Sequence, residues 1–267
     1  MHEGTVVYAC DDRYALPLTV SIRSLQENTP ASLPIIVVSD GISISSRNTV
    51  LASVPRPGDI EFIDVGPTEF PHFGSGIPAK FSRAVFGRLL VPDRIIGTPR
   101  FLYLDSDTVV LSDVTRLLRL PLDGKTIGAV YDSLYTAYVS STARLGAPGR
   151  TERFNSGVLL IDRERWFDLE IGPRALEYSR SHACLDQGGL NAICEREWQR
   201  LDQRWNRTTF DVLQQHRRLT AGRVTSDMTT YIRHYTADKP WIRPRLDRAE
   251  LSHGVFLSYL DRTRWGR

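Results

Sequence analysis

Hydrophobic positions in the first hundred residues switch between two periods, and the switching predicts strand and helix in turn. Thr5 to Cys10 (TVVYAC) is a short β-branched run of the kind that forms a buried strand. From Tyr14 to Glu27 the apolar positions Leu18, Ile22 and Leu25 fall near helical spacing, and Asn28-Thr29-Pro30 ends the helix. Leu33 to Ser39 (LPIIVVS) is a second strand, and Ser43 is placed to cap a helix reaching about Val54, where Pro55 and Pro57 stop it. Ile60 to Val65 alternates as a third strand. A Gly- and Pro-rich loop, Gly66 to Ala79, leads into a helix over Lys80 to Leu90 with Phe81, Val85, Leu89 and Leu90 at helical spacing. Phe101 to Leu104 (FLYL) is a fourth strand, running directly into Asp105-Ser106-Asp107. Strands alternating with helices predict an α/β fold of βαβ units.

The second half is less regular. Thr126 to Tyr131 and Asn155 to Ile161 read as strands, Arg163 to Arg180 as a helix interrupted near Gly172-Pro173, and Asp186 to Glu195 as a further helix. Tyr231 to Thr236 is a short strand-like run, and Leu246 to Leu260 a final helix followed by a basic, aromatic tail, Arg262 to Arg267. No internal repeat and no long linker divide the chain.

Composition narrows the classes. The 267 residues suffice for a sizeable core, and Gly and Pro are near average, so the chain is neither fibrous nor low-complexity. No apolar run approaches the ~18 residues that span a bilayer. The first apolar run lacks a basic flank and ends in Asp11-Asp12, so no secretory signal is expected. Cys10, Cys184 and Cys194 form no CxxC pair, which disfavours a disulfide framework or structural zinc and favours a reducing compartment, hence a cytoplasmic location. A net charge of +3 is too small to predict nucleic-acid binding. Only Lys80, Lys125 and Lys239 are lysines among 34 basic residues, and an ammonium is a compact point charge that suits one phosphate.

Asp105 and Asp107 stand where a core strand ends, the edge at which open α/β sheets bind ligands. Two carboxylates one residue apart can reach a hard divalent cation that bridges a diphosphate. DxD triplets also arise by chance, and the preceding strand is what raises this one above a solvated turn. His234 opens the segment HYTADKPW, which also carries Lys239. An imidazole added to two carboxylates makes a mixed O/N set, more natural for Mn²⁺ than for Mg²⁺. Gly74-Ser-Gly76 lacks the strand-turn-helix context of a dinucleotide fingerprint and reads as a mobile loop or lid. Asn206-Arg207-Thr208 matches a glycosylation sequon and is set aside as chance.

FLYLDSDTVVLSD, FNSGVLLIDRERW, LDQGGLNAI and HYTADKPW, in this order, together with VVYACDDRYALPLTVSIRSLQENT at the start, resemble the retaining glycosyltransferases of family 8. That family includes lipopolysaccharide galactosyl- and glucosyltransferases and glycogenin. The resemblance implies a GT-A fold, with a Rossmann-like nucleotide-binding sheet carrying helices on both faces and an irregular, acceptor-side second half. It implies a catalytic domain over 1–245 with a helix and tail over 246–267. A UDP-sugar donor, glucose or galactose as the hexose, and Mn²⁺ (Mg²⁺ as the substitute) follow from it, with a glycan, glycolipid or other hydroxyl as acceptor.

By the same resemblance Asp105, Asp107 and His234 are the metal ligands. Ala9, Asp11 and Tyr14 form the uridine segment, with Asp11 suited to accept from a uracil N–H. Arg88 contacts the donor, Lys239 the diphosphate, and Asp132, Asn155, Asp186 and Gln187 the sugar. Ser106 and Ser156 join the donor-binding set, and Asp186 and Gln187 are the catalytic candidates. Two departures stand out: Arg13 where Asn is common, and Ala237 where Gly is usual, in a His-to-Lys loop one residue shorter than in a galactosyltransferase of the family. Rival readings are a sugar-1-phosphate nucleotidyltransferase, a self-glycosylating primer and a UDP-sugar-binding protein. The tail is a candidate for docking on an anionic membrane, against the alternative of a helix that closes the fold.

Overall fold

The computed structural model describes residues 3–66, 82–91, 97–135, 152–220, 229–237, 239–242 and 250–266. The chain runs β1 (Thr5–Asp11), α1 (Ala15–Asn28), β2 (Ile35–Asp40), α2 (Ile44–Leu51) and β3 (Ile60–Asp64), then a 3-10 segment, Arg83–Leu89, and β4 (Arg100–Leu104). It continues with β5 (Thr108–Val110), α3 (Thr115–Leu118), β6 (Ile127–Tyr131), β7 (Phe154–Asp162), α4 (Arg163–Asp168), α5 (Ile171–Ser181) and α6 (Asp186–Ile193). Last come β8 (Trp198–Arg200), β9 (Arg207–Thr208), α7 (Thr209–Thr220), β10 (Ile232–His234) and α8 (Glu250–Leu260).

Seven strands form the central sheet in the order β3-β2-β1-β4-β7-β6-β8. The first four are mutually parallel, β7 is antiparallel to both β4 and β6, and β8 closes the edge parallel to β6. Successive side chains of a strand point to opposite faces. Val6, Tyr8 and Cys10 of β1 therefore pack with Leu18, Ile22 and Leu25 of α1, while Val7 and Ala9 pack with Phe86, Leu89 and residues of α5 and α6. Burial on both faces explains why β1 and β2 are nearly unbroken apolar runs. This is the expected α/β architecture with helices on both faces.

A second, three-stranded sheet, β5-β10-β9, sits beside the first. Its strands are two or three residues long, and only β10 had a sequence signal. Three expected elements differ in detail. The helix over Lys80 to Leu90 is a 3-10 segment in its described part, with Ser82 Oγ accepting from the Ala84 N–H at 3.1 Å. Gly87 there lies so close to β1 that a Cβ would sit 2.7 Å from Ala9 Cβ. The helix expected over Arg163 to Arg180 breaks before Gly172, at Glu170, whose φ of +50° ends one helix and starts the next. Pro173 is accommodated in the first turn of α5, where no intrahelical donor is required. The Ser43 cap is as expected, accepting from the Ser46 N–H at 3.1 Å, although α2 ends at Leu51. The glycine loop read as a lid falls, after Gly66, outside the described residues.

The C-terminal helix and tail close the fold. Phe256 of α8 is buried with Val20, Val109 and Tyr235, and Asn28 Nδ2 donates to Tyr259 Oη at 2.6 Å. Trp265 Nε1 donates to Thr19 Oγ1 at 2.8 Å, and Arg262 pairs with Glu27. These contacts match the fold-closing alternative for the tail. Among the described residues no helix is long and apolar enough to cross a membrane.

Candidate active site

Parallel pairing of β1 and β4 brings Asp11 and Asp105 to the same edge of the sheet. Because β7 is antiparallel to β4, it begins at that edge, and the Asp105 N–H donates to Gly157 O at 2.8 Å. A cavity of about 360 Å³ opens there.

At its centre stand Asp105, Asp107 and His234. β10 pairs His234 with Thr108 on one side and Thr208 on the other, and the Tyr235 N–H donates to Asp107 O at 3.0 Å. The small sheet thus carries the imidazole onto the DxD turn. His234 Nε2 lies 3.1 Å from Asp107 Oδ1 and 3.5 Å from Asp105 Oδ2, and one ligand atom from each of the three residues falls within 4.8 Å of the others. Asp107 Oδ1 is buried with no donor aligned on it. A buried acceptor left bare is costly, and a cation among these atoms would satisfy all three residues at once. The donor set therefore fits a divalent metal. Gly157 makes the approach possible: a Cβ there would lie 2.1 Å from His234 Cε1 and 2.8 Å from Asp105 Oδ2.

Lys239 ion-pairs with Asp107 Oδ2 and donates to Tyr235 O at 2.6 Å. Burial pushes the Asp107 carboxyl up, but Lys239 and His234 outweigh it and hold it well below the usual carboxylate range. Burial likewise disfavours charge on Lys239, and Asp107 overrides that and raises its pKa.

One end of the cavity is lined by β1 and the turn after it. Ala9, Asp11 and Tyr14 face it, with Tyr14 edge-on to Trp241 at 5.9 Å. Asp11 Oδ2 accepts from Arg13 Nε at 2.9 Å, while Asp11 Oδ1 is buried with no donor aligned on it.

The other end is built on α6 and the start of β7. Asn191 clamps the two together, its amide exchanging hydrogen bonds with the Phe154 N–H and C=O, both at 2.9 Å. Gln187, one turn earlier, therefore sits over Asn155 and Ser156. Gln187 Oε1 accepts from the Ser156 N–H (3.1 Å) and Asn155 Nδ2 (3.3 Å), and Nε2 donates to Asp132 Oδ2 (2.8 Å). Arg88 joins this end to the metal-type trio. Its buried guanidinium donates to Asp105 Oδ1 at 2.7 Å and to Ser156 O, pairs with Asp186 Oδ2 at 2.9 Å, and stacks 4.4 Å above the Tyr103 ring. Burial raises the Asp186 carboxyl above its ordinary range even though Arg88 pulls the other way.

Residues 5–244 match the description of glycosyl transferase family 8. The chain belongs to glycosyl transferase family 8. It is 25% identical to General stress protein A of Bacillus subtilis over 97% of this chain and 94% of that protein. It is 29% identical to the lipopolysaccharide 1,2-glucosyltransferase of Escherichia coli over 60% of this chain and 50% of that one. It spans 57% of the length of another relative, the glycosyltransferase GlyF of Streptococcus pneumoniae. The crystal structure of the galactosyltransferase LgtC with donor and acceptor sugar analogues superposes with a TM-score of 0.80 at 26% identity, covering 97% of this chain and 96% of that one. The expected GT-A architecture is therefore the one observed, and the chain is a glycosyltransferase.

Of the residues that the resemblance to family 8 assigned, all but Asp132 line the cavity. Asp132 stands behind Gln187 and acts on it, while Arg88 is spent on two carboxylates of the site itself. Asn206 was missed. It is fully buried, and its Oδ1 lies 3.0 Å from His234 Nδ1. Its only local signal was the sequon that had been set aside, and the turn before a two-residue strand has no periodicity to read.

Proposed function

We propose that this family 8 glycosyltransferase moves a hexose, glucose or galactose, from a UDP-sugar to a hydroxyl of a glycan, glycolipid or other acceptor, with retention at the anomeric carbon and dependence on Mn²⁺. The observation that carries the reading is the order of groups along one cavity. Asp11 with a bare, buried Oδ1 stands at one end, Asp105, Asp107, His234 and Lys239 at the centre, and Gln187 and Asp186 at the other end. That order matches uracil, diphosphate and hexose. Similarity to the galactosyltransferase LgtC and to the Escherichia coli glucosyltransferase supports a hexose.

Asp105, Asp107 and His234 would hold the ion. A bound divalent cation would neutralise the diphosphate and stabilise the charge that develops on it as the sugar leaves. Asp11 Oδ1 accepts from the uracil N–H and selects the base. The Lys239 ammonium adds a second positive charge beside the phosphates. Asp186 and the Gln187 amide hold the sugar hydroxyls. Gln187 Oε1 already accepts several hydrogen bonds from the protein, and a neutral amide so engaged is a poor nucleophile. Same-face displacement, with the leaving phosphate assisting deprotonation of the acceptor, is the route this favours.

The test is a panel of UDP-sugars incubated with the protein plus Mn²⁺, Mg²⁺ or EDTA, following released UDP and intact protein mass. UDP release from UDP-glucose or UDP-galactose, stimulated most by Mn²⁺, is expected. Hexoses added to the protein itself would convert the reading to a self-glycosylating primer. Tight UDP binding with no turnover would convert it to a binding protein.

A further inference from the structure

A file of side-chain amides, half-buried at Gln187 and Asn155 and fully buried at Asn206, runs from the α6 end of the cavity to the metal-type trio, and its polarity is determined at every link. A carboxylate only accepts, so Gln187 turns Nε2 to Asp132 (2.8 Å) and Oε1 to the Ser156 N–H (3.1 Å). Oε1 also takes Asn155 Nδ2 (3.3 Å), which leaves Asn155 Oδ1 to accept from the Gly157 N–H (3.0 Å) and Asn206 Nδ2 (2.8 Å). Asn206 Oδ1 is thereby aimed at His234 Nδ1 (3.0 Å). An amide oxygen in that place accepts only from a protonated nitrogen. The backbone donors of Ser156 and Gly157 lock the first two amides, Gln187 and Asn155, against flipping, so the direction is a property of the fold and not of one side chain. Asn206 is 0% exposed and His234 3%, so bulk water offers no substitute donor or acceptor.

We infer that Asn206 is a positioning residue that keeps a proton on His234 Nδ1, so that Nε2 is the nitrogen offered to a metal between Asp105 and Asp107. The inference rests on the metal site proposed above. An imidazole in the other tautomer would present a proton to the site and could not ligate through Nε2. A partner on the far nitrogen of a ligating histidine is worth about 10–100-fold in metal affinity. The remaining links carry the same constraint back to Gln187, so the residue read as facing the hexose also helps orient the histidine.

The test uses the full-length, metal-free protein with ¹⁵N-labelled histidine, His234 being assigned with a His234→Gln variant. Long-range ¹H–¹⁵N spectra should show His234 protonated on Nδ1. Asn206→Ala should lose that bias, and its Mn²⁺ affinity in the presence of UDP, read from the electron paramagnetic resonance of free Mn²⁺, should fall about 10–100-fold. Asn206→Asp keeps an oxygen acceptor at Nδ1 and should retain the tautomer, which serves as the decisive variant should the alanine protein not fold. A wild-type His234 with an unprotonated Nδ1, an Asn206→Asp protein that loses the bias, or an Asn206→Ala protein unchanged in both Nδ1 protonation and Mn²⁺ affinity would overturn the inference. Failure of His234→Gln to weaken Mn²⁺ binding would instead remove the metal assignment, while the tautomer measurement still decides the role of Asn206.

Discussion

The centre of the cavity and the end built on α6 and β7 are held by opposite means. At the centre, Asp105, Asp107, His234 and Lys239 crowd ionisable groups together and leave Asp107 Oδ1 buried without an aligned donor. At the α6 end, Asn155, Gln187 and Asn191 are neutral amides whose donors and acceptors are matched to named partners. A cluster of ionisable groups around a bare acceptor is completed by a ligand. An amide file with its bonds made is complete as folded. The first region is thus poised to gain an ion, the second to hold a shape, and Arg88 ties the two together through Asp105 and Asp186.

The comparison breaks most readily at the centre. Asp107→Asn preserves volume but removes a charge, and transfer should fall about 10²–10³-fold or more, the scale for losing a group that stabilises developing charge. The same variant should lose the thermal stabilisation conferred by Mn²⁺ plus UDP, about 2.7 kcal/mol at a hundredfold excess over Kd in the wild type. Initial rates and melting curves with and without the pair of ligands check both.

Gly157→Ala tests the junction. The added methyl would overlap His234 and Asp105, so the trio must spread. Activity should drop about 10²-fold, as expected for a shift on the order of 1 Å, with about 1–3 kcal/mol of overpacking cost in the metal-free protein. A variant with wild-type Mn²⁺ response would show that the trio is not as tight as described.

Gln187→Ala sharpens the contrast from the other side. Removing a sugar-side amide should lower kcat about tenfold, one hydrogen bond's worth, with UDP affinity within about twofold by calorimetry. Equal losses in turnover and UDP affinity would mean that the two ends are not separable.

The smallest effect is the pH dependence of the Asp107–Lys239 pair in metal-free protein. Asp107 titrates below its ordinary value of about 3.9. Its contribution is therefore complete above that pH and is lost as pH falls through the depressed value. Lys239 titrates above its ordinary value of about 10.4. Its contribution is present below that pH and fades as pH rises through the elevated value. The stability difference between wild type and Lys239→Met should accordingly be a plateau of about 1–2 kcal/mol near neutrality, shrinking at both extremes. Denaturant titrations across pH would test this, and a difference that does not vary with pH would argue against the pair.

Legibility in the sequence followed the same division. The strand ending in Asp105-Ser106-Asp107 was readable because β4 is buried on both faces and so is continuously apolar. Asp105, Asp107 and His234 came through residue types that carry their own chemistry, and Gln187 through the resemblance to family 8. A break in the helix was expected near Gly172-Pro173, but its placement at Glu170 was not legible, because a non-glycine residue at positive φ is held there by its surroundings. Asn206 carried only a sequon, since a buried amide is chemically ordinary until its partners are known.

From its amino acids alone the chain determined the alternation of strands and helices, the edge of the sheet at which ligands would gather, and the residue types able to bind a metal. Those follow from local periodicity and from intrinsic chemistry. Only the tertiary structure decided that His234 meets the DxD turn through a three-stranded sheet of two- and three-residue strands. It alone showed that Arg88 ties Asp105 to Asp186, and placed Asn206 against His234. The reason is physical: strands so short have almost no propensity of their own, and the direction of a hydrogen bond is a property of pairs of groups that the sequence keeps far apart.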